Sequence, residues 1–240
     1  MPTHSLPCTR SVLAACLVVT LGCASGRSVS PLILSDGRPT GFLDKQTAPD
    51  GVALLPPPPE KGSAALALDK EVMSSSLRIR DSRWNQATAD ADLSFPNAPG
   101  AFSCALGAPI TEKDTPHLYR LLNRTATDAL VGVSSAKKHY GRTRPFMSDG
   151  KPSCTPADEP SLRQNGSYPS GHSALGWAWA LVLAEISPDR QDAILRRGWA
   201  FGESRIICNV HWYSDVVQGR TIASVVVARL HAESAFRGAL

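Results

Sequence analysis

Residues 169–186 read PSGHSALGWAWALVLAEI, a polar lead-in of Pro169, Ser170, Gly171 and His172 ahead of a run from Ala174 to Ile186 whose only charge is Glu185. A helix that is apolar on nearly every side belongs inside a bundle rather than on its surface. Ser170 and Gly171 precede this helix, so a hydroxyl and free backbone amides are expected at its N-terminus.

Outward from this segment the signals stay helical in both directions. Upstream, Ala64 to about Arg80 is rich in helix formers, a second helix is expected from Trp84 to Leu93, and Pro116 suits the first position of a third. In that third helix Leu118, Leu121, Leu122, Ala126, Ala129, Leu130 and Val133 recur at helical spacing toward Lys137. Downstream, Ser187-Pro188 reads as the start of a helix through Trp199 toward Arg205, and Val216 to Leu230 as a final apolar helix. Met147 to Tyr168, with its Pro, Gly, Ser and Asp residues, reads as a long loop of the kind that shapes an active site. No alternating strand pattern competes. The expected architecture is all-α: a single-domain helical bundle with long active-site loops and an extended N-terminal arm.

The 240 residues leave room for one substantial core, and 42% apolar with 19% charged residues is ordinary for a globular chain. The net charge of +4 is spread rather than blocked, which speaks against a nucleic acid polymer as partner and suits small anions. Arg10, the apolar Val12 to Leu21 and the small Gly22, Ala24, Ser25 and Gly26 predict a secretory signal peptide over 1–26. Its apolar core is too short to span a bilayer comfortably, and no span of about twenty apolar residues follows it, so the mature form is expected to have no transmembrane anchor. Cys23 follows Thr20-Leu21-Gly22, where a lipoprotein box normally begins with Leu or Val; the expectation is a soluble periplasmic protein rather than one lipidated at Cys23. Residues 27–62, with the run Pro56 to Pro59, predict the extended arm, and 63–240 the helical domain. Val52 to Leu55 suggest that the arm packs onto the domain. Cleavage leaves Cys104, Cys154 and Cys208, and three thiols cannot all pair within one chain.

Three clusters carry chemistry: Lys137 with Arg144, then Ser170-Gly171-His172, then Arg205 with His211 and Asp215. Lys137, Arg144 and Arg205 supply positive charge, and guanidinium forks grip two phosphoryl oxygens at once. Neutral His211 is expected to attack phosphorus. Asp215, one helical turn later, would accept from one ring nitrogen and leave the other's lone pair free; His172 would protonate the leaving alkoxide. Singly, each of these residues is ordinary: lone Lys and Arg side chains are usually solvated, and a His–Asp pair one turn apart is a common helix-end contact. The ordered set is not.

That set, K-x6-R-P from Lys137, P-S-G-H from Pro169 and S-R-x5-H-x3-D from Ser204, resembles the signature of the phosphatidic acid phosphatase type 2 superfamily. Within it the chain is most similar to the class A bacterial acid phosphatases, over about Phe42 to Leu230. The resemblance implies a phosphoric monoester hydrolase acting on small phosphorylated substrates such as nucleotides, sugar phosphates or aryl phosphates. It implies no cofactor and no metal. His211 would be the nucleophile, Asp215 its orienting carboxylate and His172 the acid, with Lys137, Arg144, Ser170, Gly171, His172 and Arg205 binding phosphate. It further implies a Cys154–Cys208 disulfide with Cys104 free, and allows a homodimer to which Val52 to Leu55 would contribute. Ser173, Asn209-Val210 and Tyr213 depart from residues common among relatives. Activity is expected at low pH, because His172 must be protonated while Asp215 is ionised and His211 neutral. The alternatives are a vanadate-dependent haloperoxidase, a membrane lipid phosphatase, for which spanning helices are missing, and a non-catalytic phosphate-binding protein.

Overall fold

A computed structural model describes residues 40–77, 79–95 and 97–240; the expected signal peptide and the arm up to residue 39 lie outside them. Among the described residues there is no strand. The longer helices are α1 (Ala64–Leu77), α2 (Arg80–Ala89), α3 (Pro116–Tyr140), α4 (Gly171–Ile186), α5 (Gln191–Ile207) and α6 (Tyr213–Leu230).

The apolar stretch from Ala174 to Ile186 belongs to α4, which lies among α3, α5 and α6. Leu175, Ala178, Trp179, Val182 and Leu183 are buried on one face, and Ala174 and Ala180, also fully buried, extend the buried surface around its flanks. Taking each large side chain out of water contributes roughly 1.5–3 kcal/mol. The indole of Trp179 donates to the Leu122 carbonyl of α3 at 2.8 Å, so even the polar atom of this buried ring is satisfied. Close contact between α4 and α5 depends on two glycines: a Cβ at Gly176 would overlap the Phe201 ring, and one at Gly198 would overlap Ala180. These contacts bring Arg205, near the end of α5, to the first turn of α4.

Several boundaries differ from expectation. The helix expected from Ala64 to about Arg80 ends at Leu77, because Ile79 adopts φ −107° and ψ 5° and a new helix starts at Arg80. The one expected over Trp84–Leu93 is α2, shifted toward the N-terminus and stopped at Ala89, where the Asp90 carboxylate is claimed by α5 instead. The long loop 147–168 begins within a single helical turn at Pro145–Asp149 and contains two more at Pro156–Asp158 and Glu159–Leu162. Proline at the first position starts a turn as readily as it marks a loop.

The described part of the arm packs onto the bundle. Phe42 and Leu43 donate their amides to the two carboxylate oxygens of buried Asp128 on α3, at 2.8 and 3.1 Å. Arg124 donates to the carbonyls of Thr40 and Gly41 and lies over the Phe42 ring, 3.7 Å from its centroid. Of the apolar Val52 to Leu55, Leu55 enters the main core while Leu54 is half exposed.

Candidate active site

The site forms where the end of α3, the start of α4, the end of α5 and the start of α6 meet. Each contributes through local geometry that its sequence dictates. Ser170 caps α4: its Oγ accepts from the Ser173 amide at 3.2 Å, leaving the amides of Gly171 and His172, which precede any intrahelical partner, at the helix head. Ser173 also donates its hydroxyl to Ser170 Oγ at 2.9 Å. The Ser170 amide donates to the Asp215 carbonyl at 2.9 Å, tying α4 to α6. A Cβ at Gly219 would lie 2.5 Å from the Ser170 carbonyl oxygen, so only glycine lets α6 come this near.

His211 and Asp215 sit one turn apart at the start of α6, both buried. His211 Nδ1 faces Asp215 Oδ2 at 3.4 Å, and its Nε2 meets Arg144 Nη1 at 3.2 Å. A guanidinium only donates, so Nε2 must present its lone pair and the proton must reside on Nδ1, toward the carboxylate. Asp215 Oδ2 also accepts from the Trp212 amide at 2.8 Å, which fixes the carboxylate at the helix N-terminus. Burial pushes the Asp215 carboxyl up, and Arg142, donating to Oδ1 at 2.6 Å, pulls it back down.

Three further cations converge here. Arg144 is buried and anchored by the carbonyls of Leu162, Asn165 and Val210 at 3.0–3.1 Å. Lys137 donates to the Gly166 carbonyl at 2.8 Å. Arg205 is 2% exposed, and its Nε and Nη1 are buried without a hydrogen-bond partner in the protein, as is Ser167 Oγ. Burial lowers Lys137 to about 7 and Arg144 and Arg205 to about 10, and repulsion from Arg144 adds to the effect on Lys137 and Arg205. Buried donors without partners beside clustered positive charge are costly for the protein alone and suit an oxyanion. Among the described residues, no group of three or more His, Cys, Asp or Glu side chains is arranged to hold a metal ion.

His172, second residue of α4, has Nε2 2.9 Å from the Ala91 carbonyl. A carbonyl only accepts, so Nε2 carries a proton and Nδ1 is the nitrogen left to exchange one. Burial first, then Arg205, hold this imidazole well below its usual pKa; burial, Arg144 and Lys137 do the same to His211.

The structure therefore brings together all of the residues singled out in the sequence: Lys137, Arg144, Ser170, Gly171, His172, Arg205, His211 and Asp215. Cys154 and Cys208 form a disulfide with Cα atoms 4.7 Å apart, joining the loop after Arg144 to the end of α5, and Cys104 is free and exposed. Sequence reasoning missed the supporting groups. Arg142 touches Asp215, Asp69 touches Arg142, and Asp90 pairs with Arg197 beside the carbonyl that holds His172. Arg142 was visible as the second arginine within the K-x6-R-P stretch, but nothing marked it apart.

Residues 118–237 match the PAP2 superfamily. The chain is 47% identical over 198 residues to the non-specific acid phosphatase of Providencia stuartii, covering 82% of this chain and 80% of that one. It is also 47% identical over 188 residues to the non-specific acid phosphatase of Salmonella typhimurium, covering 78% of this chain and 75% of the relative. Among solved structures, a bacterial vanadium-dependent iodoperoxidase superposes with a TM-score of 0.50 at 20% identity, over 74% of this chain and 53% of that one, a likeness of fold. The chain belongs to the PAP2 superfamily and, within it, to the bacterial non-specific acid phosphatases. It is an acid phosphatase, a phosphoric monoester hydrolase. Among the described residues no helix is long and apolar enough to cross a membrane.

Proposed function

We propose that the protein hydrolyses a broad range of small phosphate monoesters in the periplasm through a covalent phosphohistidine on His211, without a metal ion. The observation that carries this reading is the orientation of His211: Nδ1 faces Asp215, and the Nε2 lone pair points into the cluster that contains Arg144. In the first half-reaction Nε2 attacks phosphorus as the ester P–O bond breaks, and His172 gives a proton from Nδ1 to the leaving alkoxide. The Arg205 N–H groups, Arg144, Lys137 and the amides heading α4 take the charge that spreads over the equatorial oxygens. In the second half-reaction neutral His172 takes a proton from water, whose oxygen attacks phosphorus. The P–N bond breaks, releasing inorganic phosphate and neutral His211.

The test is p-nitrophenyl phosphate turnover at mildly acid pH with and without EDTA, alongside an alkaline quench of labelled substrate. Turnover indifferent to EDTA, with a phosphoprotein stable to alkali and labile to acid that His211→Ala cannot form, is the expected result. EDTA-sensitive turnover, or a His211→Ala enzyme that still works, would overturn the mechanism. Halide oxidation after vanadate loading, in a protein unable to turn over phosphate esters, would favour the haloperoxidase alternative.

A further inference from the structure

Behind Asp215, on the side away from His211, lies a polar ring that the proposed reaction does not use. Arg142, in the loop after α3, donates Nη1 to Asp215 Oδ1 at 2.6 Å and to Ser214 Oγ at 2.8 Å, and Nη2 to Asp69 Oδ2 at 2.7 Å. Asp69, on α1, closes the ring by accepting the Ser214 amide at 2.7 Å and the Ser214 hydroxyl at 2.8 Å. The Asp69 and Asp215 side chains are 1% and 0% exposed, and Arg142 is 11% exposed. Arg142 is thus held by an acid on a helix that supplies nothing else to the site.

Two consequences follow from this geometry. A fixed guanidinium pins Oδ1, so Oδ2 stays directed at His211 Nδ1 and the Trp212 amide. It also sets the charge on Asp215. The charged and titratable groups around that carboxylate are Arg142 from the loop after α3, His211 on its own segment, Lys137 on α3, Arg144 beyond His211, and Tyr168 ahead of α4; Asp69 acts through Arg142. Of these, Arg142 is the cation bonded directly to the carboxylate and the strongest influence against its protonation. An enzyme working in acid needs that influence, because a protonated Asp215 is neutral and could no longer balance the positive charge of a phosphorylated imidazole.

We propose that Arg142, clamped by Asp69 and Ser214, is a positioning residue that keeps Asp215 ionised and aimed at His211 under acid conditions. This rests on His211 being the nucleophile. The experiment compares kcat and KM from acid to neutral pH for Arg142→Met, Arg142→Lys and Asp69→Asn, with thermal melts and the alkaline-quench phosphoenzyme for each. Arg142→Met is expected to lose about 10²-fold in kcat at mildly acid pH, as small misplacements of catalytic groups do, with KM changed only a few-fold. That loss should shrink as pH rises and Asp215 ionises, moving the acid limb of kcat up by about one unit. Arg142→Lys should recover part of the loss, and Asp69→Asn should shift the limb the same way by less. If Arg142→Met does not fold, the nearly isosteric Asp69→Asn carries the test through its pH profile. A folded variant whose kcat profile overlays the wild type's, or whose whole defect lies in KM, overturns the inference. An active His211→Ala enzyme overturns the underlying reading instead, whatever the Arg142 variants do.

Discussion

His211 is oriented by a side-chain carboxylate and His172 by a backbone carbonyl, and each support is backed by an Arg–Asp pair reaching in from another helix or loop. Behind His211 stands Asp215, held by Arg142 and Asp69. Behind His172 stands the Ala91 carbonyl, one residue from Asp90, which is gripped by Arg197 of α5 and accepts the Ser204 hydroxyl at 2.7 Å. The difference matches the charge each ring must carry on the proposed reading. A phosphorylated His211 with a proton on Nδ1 is cationic, and a carboxylate stabilises it. An acid that must release its proton is better oriented by a neutral carbonyl, which fixes the ring without holding the positive charge.

The largest effects should come from removing the rings themselves. His211→Ala is expected to lower kcat by at least about 10⁴-fold, as loss of a catalytic nucleophile does, for every ester. His172→Ala should cost about 10²–10⁴-fold, the usual worth of a general acid, but unequally: alkyl phosphates should suffer far more than p-nitrophenyl phosphate, whose phenolate leaves without a proton. Steady-state rates on a leaving-group series check this. Equal losses across the series would remove the acid from His172 and erase the contrast between the two rings.

A smaller effect distinguishes the rings by their titration. In the free enzyme burial and, after it, Arg205 hold His172 well below its usual pKa. A bound dianion offsets Arg205 and raises it. Because the raised group gains its proton only in the complex, oxyanion binding must take up protons at pH values between the two pKa values, and none well above both. Calorimetry of sulfate binding, an anion that does not titrate near neutrality, in buffers of different ionisation enthalpy should show uptake at mildly acid pH that falls in His172→Ala. A shift of one unit corresponds to about 1.4 kcal/mol of coupling. Proton release, or uptake undiminished in His172→Ala, would mean that other groups alone answer to the anion.

What the sequence disclosed follows the same division. His211, in the turn before α6, and Asp215, in its first turn, are four positions apart, and Ser170, Gly171 and His172 are consecutive, so local spacing alone places them. The supports span long distances: Asp69 and Arg142 are separated by 73 positions, and Asp90 and Arg197 by 107. The group that fixes His172 is a backbone carbonyl, which has no residue type to read. The helices were legible for the reason α4 was, since periodic apolar faces are local. The end of α2 was not, because the carboxylate of Asp90, which caps it, meets Arg197 and Ser204, partners supplied only by the assembled fold.

The smallest expected effect tests whether that last network serves His172 or only the fold. Arg197 donates to both oxygens of Asp90 and, through Nε, to the Ala101 carbonyl at 2.9 Å, so removing it frees the turn that carries Ala91. Arg197→Met should lower stability, since it leaves a buried carboxylate with Ser204 as its remaining close donor. That alone would not discriminate. If the turn positions His172, kcat for an alkyl phosphate should fall by about tenfold at a temperature well below the melt, as loss of a contact that orients a functional imidazole does, while p-nitrophenyl phosphate stays within about twofold. Arg197→Lys, which restores the charge but not the paired donors, should lie between. The same modest loss on both substrates would assign Arg197 to packing, leaving His172 oriented by its own helix and Arg142 as the outer residue that chemistry requires.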